Sequence, residues 1–131
     1  MKVLALDFGS ARTGVAVSDP TGTIARPLCV VERAATEDGL SELERLVAAE
    51  HAEQVVVGHP LTLRGERGDQ ARVTERFAAA LRDRLEIPVL LFDERFTTDL
   101  AQQMPSGAAE DARAAAYLLS SYLAWSSAGP A

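Results

Sequence analysis

Residues 3–19 read VLALDFGSARTGVAVSD. An apolar run opens the stretch, Asp7 stands near its end, Gly9 begins a short polar turn, and a second apolar run follows from Gly14. Continuous apolar runs of this length read as strands buried on both faces, and the short turn between them predicts an antiparallel hairpin. A carboxylate at the end of a buried strand is costly. Left unpaired it is penalised by roughly several kcal/mol or shifts its pKa. Asp7 therefore calls for a partner, either a cation held there or an arginine such as Arg12 or Arg95.

Outward from this hairpin the pattern stays regular. Asp19-Pro20-Thr21-Gly22 is a turn, and residues 23–32 read as a third strand, completing a meander. Thr36-Glu37-Asp38 reads as an N-cap with an acidic first turn, followed by Leu40, Leu43, Leu46 and Val47 at helical spacing. Residues 54–58 form a short apolar strand, and residues 59–67 a loop. Val73, Phe77, Ala80, Leu81 and Leu85 mark a second helix, and residues 88–92 a fifth strand. Residues 97–104 read as a short helix ended by Pro105-Ser106-Gly107. Ala112, Ala115, Ala116, Leu119, Tyr122 and Leu123 mark a last helix. The order β-β-β-α-β-α-β-α predicts an α/β protein, a five-stranded mixed sheet with helices on both faces. Residues 1–125 are expected to form one domain and residues 126–131 a disordered tail.

Composition narrows the function classes. The 131 residues carry 13 basic and 19 acidic side chains, a formal charge of −6, which argues against a broad nucleic-acid-binding surface. The charge is uneven. Residues 32–53 hold seven acids against two arginines, −5, whereas residues 64–84 hold six arginines against four acids, +2. Arginine suits bidentate contact with phosphate, so Arg72 and Arg76, one helical turn apart, are candidate substrate contacts. No run approaches a membrane span, and the apolar stretch after Lys2 is too short for a signal peptide. The expectation is a cytoplasmic protein with no membrane partner. Cys29 is the single cysteine, so no internal disulfide forms, and it lies in a strand-like run without a catalytic role.

Topology gathers acids at one pole. If strands one, four and five run parallel, as the helical crossovers imply, their carboxyl ends lie together, where α/β sheets bind ligands. Asp7 ends the first strand, Asp93 and Glu94 follow the fifth, and Asp111 opens the last helix. Neighbours on a strand point to opposite faces, so one of Asp93 and Glu94 faces the pole. Asp111 alone also reads as a helix N-terminal charge favouring the macrodipole. Clustered carboxylates repel unless a positive charge sits among them, and Mg²⁺ or Mn²⁺ is the natural ion for oxygen ligands. Two such ions roughly 3.5–4 Å apart clamp a phosphodiester for attack by water. The candidate metal set is Asp7, Asp93, Glu94 and Asp111, with Asp7, Glu94 and Asp111 catalytic. Arg12 and Arg95 are candidate phosphate contacts, and the backbone at Thr97 and Thr98 a candidate anion site.

Four pieces of the chain, LALDFGSARTGVAVSDPTG, VVVGHPL with its trailing GERGDQA, LLFDERFTT and DARAAAYLLSSYL, resemble the YqgF/RuvX family in its order. That family is named for Holliday-junction resolvases and pre-16S ribosomal-RNA nucleases. The resemblance implies an RNase H-like fold and a metal-dependent endonuclease acting on branched DNA or precursor rRNA. It carries the first-strand acid onto Asp7, the D-E-R onto Asp93, Glu94 and Arg95, and the late D-x-x-A-A onto Asp111, Ala114 and Ala115. Symmetric cleavage of a junction would require a homodimer. The chain departs from the family in two places. The piece DLAQQMPSGAAED is short and has no basic residue where a longer Lys- and Arg-rich loop is common. His59 replaces a usually apolar residue in the G-x-P loop, and Thr62 stands where Asn is common. The alternative function is a non-catalytic nucleic-acid-binding module, distinguished by retained affinity without metal-dependent cleavage. An actin-like phosphotransferase needs two related lobes, and one lobe fills this chain.

Overall fold

A computed structural model describes residues 1–96 and 110–128. Five strands, β1 (Val3–Asp7), β2 (Arg12–Ser18), β3 (Ala25–Glu32), β4 (Gln54–His59) and β5 (Val89–Asp93), form one sheet in the order β3-β2-β1-β4-β5. β1 pairs antiparallel with β2 and parallel with β4, β4 pairs parallel with β5, and β2 pairs antiparallel with β3. The expected mixed sheet, with the carboxyl ends of β1, β4 and β5 at one pole, is therefore observed.

The strands alternate between two cores. Leu4, Leu6, Val15, Val17, Val55 and Val57 pack under α1 (Glu37–Glu50) and α2 (Asp69–Arg84). Val3, Ala5, Ala16, Val56 and Phe92 pack under α3 (Glu110–Ala128). Period-two alternation sends Leu6 to the α1/α2 face and Ala5 to the α3 face, so Asp7 falls on the α3 face. Phe8, on the other face, stacks on Phe77 of α2 with ring centroids 4.2 Å apart, which fixes the end of β1.

Local chemistry sets the element ends. Thr36 caps α1, its Oγ1 accepting the Gly39 N–H at 3.2 Å. His51 ends α1 at φ 55°, donating its N–H to Ala48 at 3.2 Å. The third strand begins at Ala25, two residues later than expected. The Asp19 carboxylate accepts the N–H groups of Thr21, Thr23 and Ile24 and holds them in a turn. β3 carries Pro27 because it is an edge strand, and its register shifts where Pro27 meets Ala16. Cys29 is half-buried, and burial and then Glu42 and Glu50 push its thiol pKa up.

Residues 126–128, expected in a disordered tail, continue α3. Ser126 and Ser127 donate their hydroxyls to the carbonyls of Leu123 and Ala124, and Trp125 sits 5.7 Å from the Phe92 ring. Residues 129–131, and the helix and break expected over 97–107, lie outside the described residues.

Small residues let α3 lie close on the sheet. A Cβ at Gly14 would stand 1.8 Å from the Asp111 carbonyl oxygen and 3.0 Å from the Ala112 nitrogen. Both obstacles are backbone, so the helix would have to move. Gly14→Ala is expected to destabilise the protein by roughly 2–3 kcal/mol through overpacking. Urea unfolding monitored by circular dichroism checks this, with an unchanged midpoint as the contrary result.

Candidate functional site

The site lies at the pole where β1, β4 and β5 end and α3 begins. Asp7 is half-buried and pairs in register with Gly14 of β2. The first turn of α3 crosses Gly14, which brings Asp111 to Asp7. Burial first, and then the charge of Asp111, push the Asp7 pKa from an ordinary 3.8 up to about 6. Glu94 opens a 3₁₀ turn after β5 (Glu94–Phe96). Its side chain lies over Gly58 of β4, where a Cβ would stand 2.5 Å from Oε1 and 3.0 Å from Cγ. Burial, then Asp7, then Asp93 push the Glu94 pKa up to about 7.

Among the described residues no group of three carboxylates is already gathered around an ion-sized space.

Asp93 goes elsewhere. Opposite-face alternation holds, and Asp93 points to the α2 side of the sheet, where His59 is its register partner. The Arg95 guanidinium grips its carboxylate through Nε at 2.9 and 3.1 Å and through Nη2 at 2.6 Å, which holds its pKa down. Arg95, expected on substrate phosphate, also donates Nη1 to the Leu63 carbonyl at 3.3 Å. Three of its five guanidinium N–H donors are thus used within the fold.

Arg12 is exposed and pairs through Nε with Asp111 at 3.2 Å, so one of the three carboxylates has a cation beside it. His59 faces α2, where its Nε2 lies 2.7 Å from Glu75 Oε2. Arg67 donates to both Glu75 oxygens, and these bonds hold the Glu75 pKa down. Arg72 pairs with Asp69 at 3.6 Å, and Arg76 is exposed with no partner among the described residues. Arg82 donates to the Val89 carbonyl and Arg84 ties α2 to Glu37 and Glu44 of α1. Three of the six arginines of the basic window thus tie elements together, Arg67 and Arg82 while still exposed, and Arg64, Arg72 and Arg76 are exposed without such a tie. Thr97 and Thr98 lie outside the described residues.

Sequence reasoning missed Gly58 and the Leu63 carbonyl. A glycine inside an apolar strand was the available signal for Gly58, since it marks close approach. Nothing local marks the carbonyl.

Comparison with known proteins came from three directions. A family model described as "RuvX: Holliday junction resolvase" matches residues 1–125. A protein of Chloroflexus aurantiacus named "Putative pre-16S rRNA nuclease" is 48% identical over 78% of this chain and 67% of its own length. One of the same name from Geobacillus kaustophilus is 37% identical, over 94% of this chain and 97% of its own. Among solved structures, Thermus thermophilus RuvC in complex with a Holliday junction substrate superposes with a TM-score of 0.59 at 17% identity. The match spans 96% of this chain and 97% of that one, and the likeness establishes the RNase H-like fold.

The raised Asp7 pKa has a stability consequence. In the metal-free protein the folded state holds the Asp7 proton more tightly than the unfolded chain, so stability falls as pH rises from 3.8 to about 6. Asp7→Asn removes this cost. The variant is expected to match the parent near pH 3.5 and to exceed it by roughly 2–3 kcal/mol above pH 6.5, at about 1.4 kcal/mol per pKa unit. Urea titrations in chelator across that range check it. A constant difference at all pH values would show that the burial of Asp7 carries no such penalty.

Proposed function

The chain belongs to the RuvX family of Holliday junction resolvases, and from that membership and the carboxylate pole we propose an endonuclease that hydrolyses phosphodiester bonds in structured nucleic acid. The finer proposal is that it requires Mg²⁺ or Mn²⁺, that Asp7, Glu94 and Asp111 carry the reaction, and that branched DNA or precursor 16S rRNA is the substrate. Asp93 belongs in this reading beside the metal set rather than in it, because its oxygens are taken by Arg95.

The observation that carries the proposal is that Asp7 lies within charge–charge reach of both Asp111 and Glu94, with Arg12 paired to Asp111 among the described residues. Three hard oxygen donors on rigid elements suit a divalent ion. The upward pressure on Asp7 and Glu94 is the mark of negative charge awaiting compensation. When bound, such an ion supplies activation of water and stabilisation of charge on the phosphate.

The residues do the rest. Asp7 is fixed by the pairing of β1 with its neighbours and by the Phe8–Phe77 stack below it. Arg12 orients the Asp111 carboxylate through the 3.2 Å pair. Glu94 carries a carboxyl proton through part of the neutral range when no ion is present. Arg64, Arg72 and Arg76 offer cations to the phosphate backbone along α2 and the loop before it. No helix among the described residues is long and apolar enough to cross a membrane.

Glu94→Gln and Asp111→Asn separate an enzyme from a binder. Each is expected to lower the single-turnover cleavage rate by on the order of 100-fold or more while substrate affinity stays within a few-fold. Affinity is free to rise, since each lost carboxylate removes repulsion from phosphate. Junction DNA and precursor-rRNA fragments are the substrates, with Mg²⁺, Mn²⁺ or chelator. A parent that binds but cuts neither would make the protein a binding module. Replacing Arg72 and Arg76 together by Gln is expected to weaken binding and to flatten its salt dependence by about 0.7–0.9 per lost phosphate contact. An unchanged slope would leave both as surface charges.

A further inference from the structure

The loop between β4 and α2 and the turn that carries Glu94 are fastened together by one ion pair. Asp93 Oδ1 accepts the backbone N–H of Arg95 at 2.9 Å, spanning Glu94 and holding the 3₁₀ turn closed. The same carboxylate takes a two-pronged grip from the Arg95 side chain. The remaining prong, Nη1, reaches the Leu63 carbonyl at 3.3 Å, 32 residues away in sequence. Gly65 leaves room for this, since a Cβ there would stand 3.1 Å from Nη1.

The loop itself is stiff. The Thr62 and Glu66 backbones bond at 3.0 Å, Gly65 donates to the Thr62 carbonyl at 2.8 Å, and the Thr62 hydroxyl accepts the Glu66 N–H at 3.0 Å. Arg67 anchors its far end to Glu75.

We propose that Asp93 and Arg95 are a positioning pair for Glu94, a strut that braces its turn against the 61–67 loop, and that neither contacts substrate phosphate. The inference rests on the reading of Glu94 as a metal ligand. With Nε and Nη2 on a carboxylate and Nη1 on a carbonyl, every nitrogen of the guanidinium is engaged within the fold, and the planar fork is fixed in direction. Arg95 is exposed along its edge, whereas the Asp93 carboxylate it holds is only 16% exposed. Without the pair, the attachments of the turn among the described residues would be its covalent link to β5 and the seat of Glu94 over Gly58. A ligand carboxylate displaced by about an ångström loses much of its value, and loss of a supporting contact typically costs about 10–100-fold in metal affinity or activity.

Arg95→Lys and Arg95→Gln distinguish strut from phosphate contact. Lysine keeps the charge but lacks the planar fork. As a strut, both variants weaken Mn²⁺ binding by roughly tenfold or more in calorimetric titration without nucleic acid. Both also lower the cleavage rate with KM and the salt slope of binding unchanged. As a phosphate contact, Lys restores most affinity, Gln does not, the salt slope flattens, and Mn²⁺ affinity stays at the parent value; that pattern overturns the proposal. Asp93→Asn approaches the pair from its other side, keeping the arginine and an oxygen for its N–H, and is expected to weaken Mn²⁺ binding in the same direction. Equal Mn²⁺ affinity in Asp93→Asn and parent also overturns it. A parent that binds no Mn²⁺ at all would instead remove the metal reading on which the strut rests.

Discussion

The side chain that Gly14 lacks decides where the last helix meets the sheet. A methyl group there would sit inside the Asp111 carbonyl, and α3 would stand off by the width of a side chain. Asp111 would then leave Asp7, and the pole would hold two carboxylates instead of three. The rest of the α3 face follows the same logic. Ala5 and Ala16 offer small side chains to Ala115 and Leu119, so the helix axis runs close along the central strands, and larger groups, Phe92, Tyr122 and Leu123, fill the far end.

Against this packing the treatment of charge is instructive. Most acids near the functional pole are satisfied. Glu75 takes Arg67 and His59, and Asp93 takes Arg95, each with its pKa held down. Asp7 and Glu94 are the opposite case, raised by burial and by like charge. Among the described residues these two have no cationic partner, although Arg95 stands one residue from Glu94. Local rules that hold across a structure and fail together at one place mark that place as functional.

The sequence shows the elements through their periods, and the pole through their order. Continuous runs in β1, β2 and β4 and helical spacing in α1, α2 and α3 suffice for the layers, and parallel strands bring Asp7, Glu94 and Asp111 to one end. Strand ends were less legible. Whether Asp93 or Glu94 faces Asp7 depends on β5 ending one residue later than its apolar run, and the Asp93 grip on the Arg95 N–H forms only once that end is set. The fates of the arginines were hidden for a related reason. Arg84 meets Glu44 across 40 positions and Arg95 meets Leu63 across 32, and contacts this distant leave no period behind. Charge counts treat Arg67, Arg82 and Arg84 as surface, while the fold spends their donors on Glu75, Val89 and α1.

That redistribution bears on how a chain of net charge −6 would hold a polyanion. With Arg64, Arg72 and Arg76 the arginines of the basic window that tie no elements together, the electrostatic attraction available to any nucleic acid is modest. The carboxylate pole opposes it further, since phosphate approaching Asp7 and Glu94 meets like charge in a partly buried site where screening is weak. A divalent ion at the pole would reverse the local sign, so on the proposed reading metal and substrate assist each other's binding. By linkage the assistance is reciprocal and equal in free energy. The acidity that argues against a broad nucleic-acid-binding surface then becomes a source of selectivity. Without the ion the pole repels phosphate backbones, and with it the attraction is concentrated at one point, where a bond can be cut.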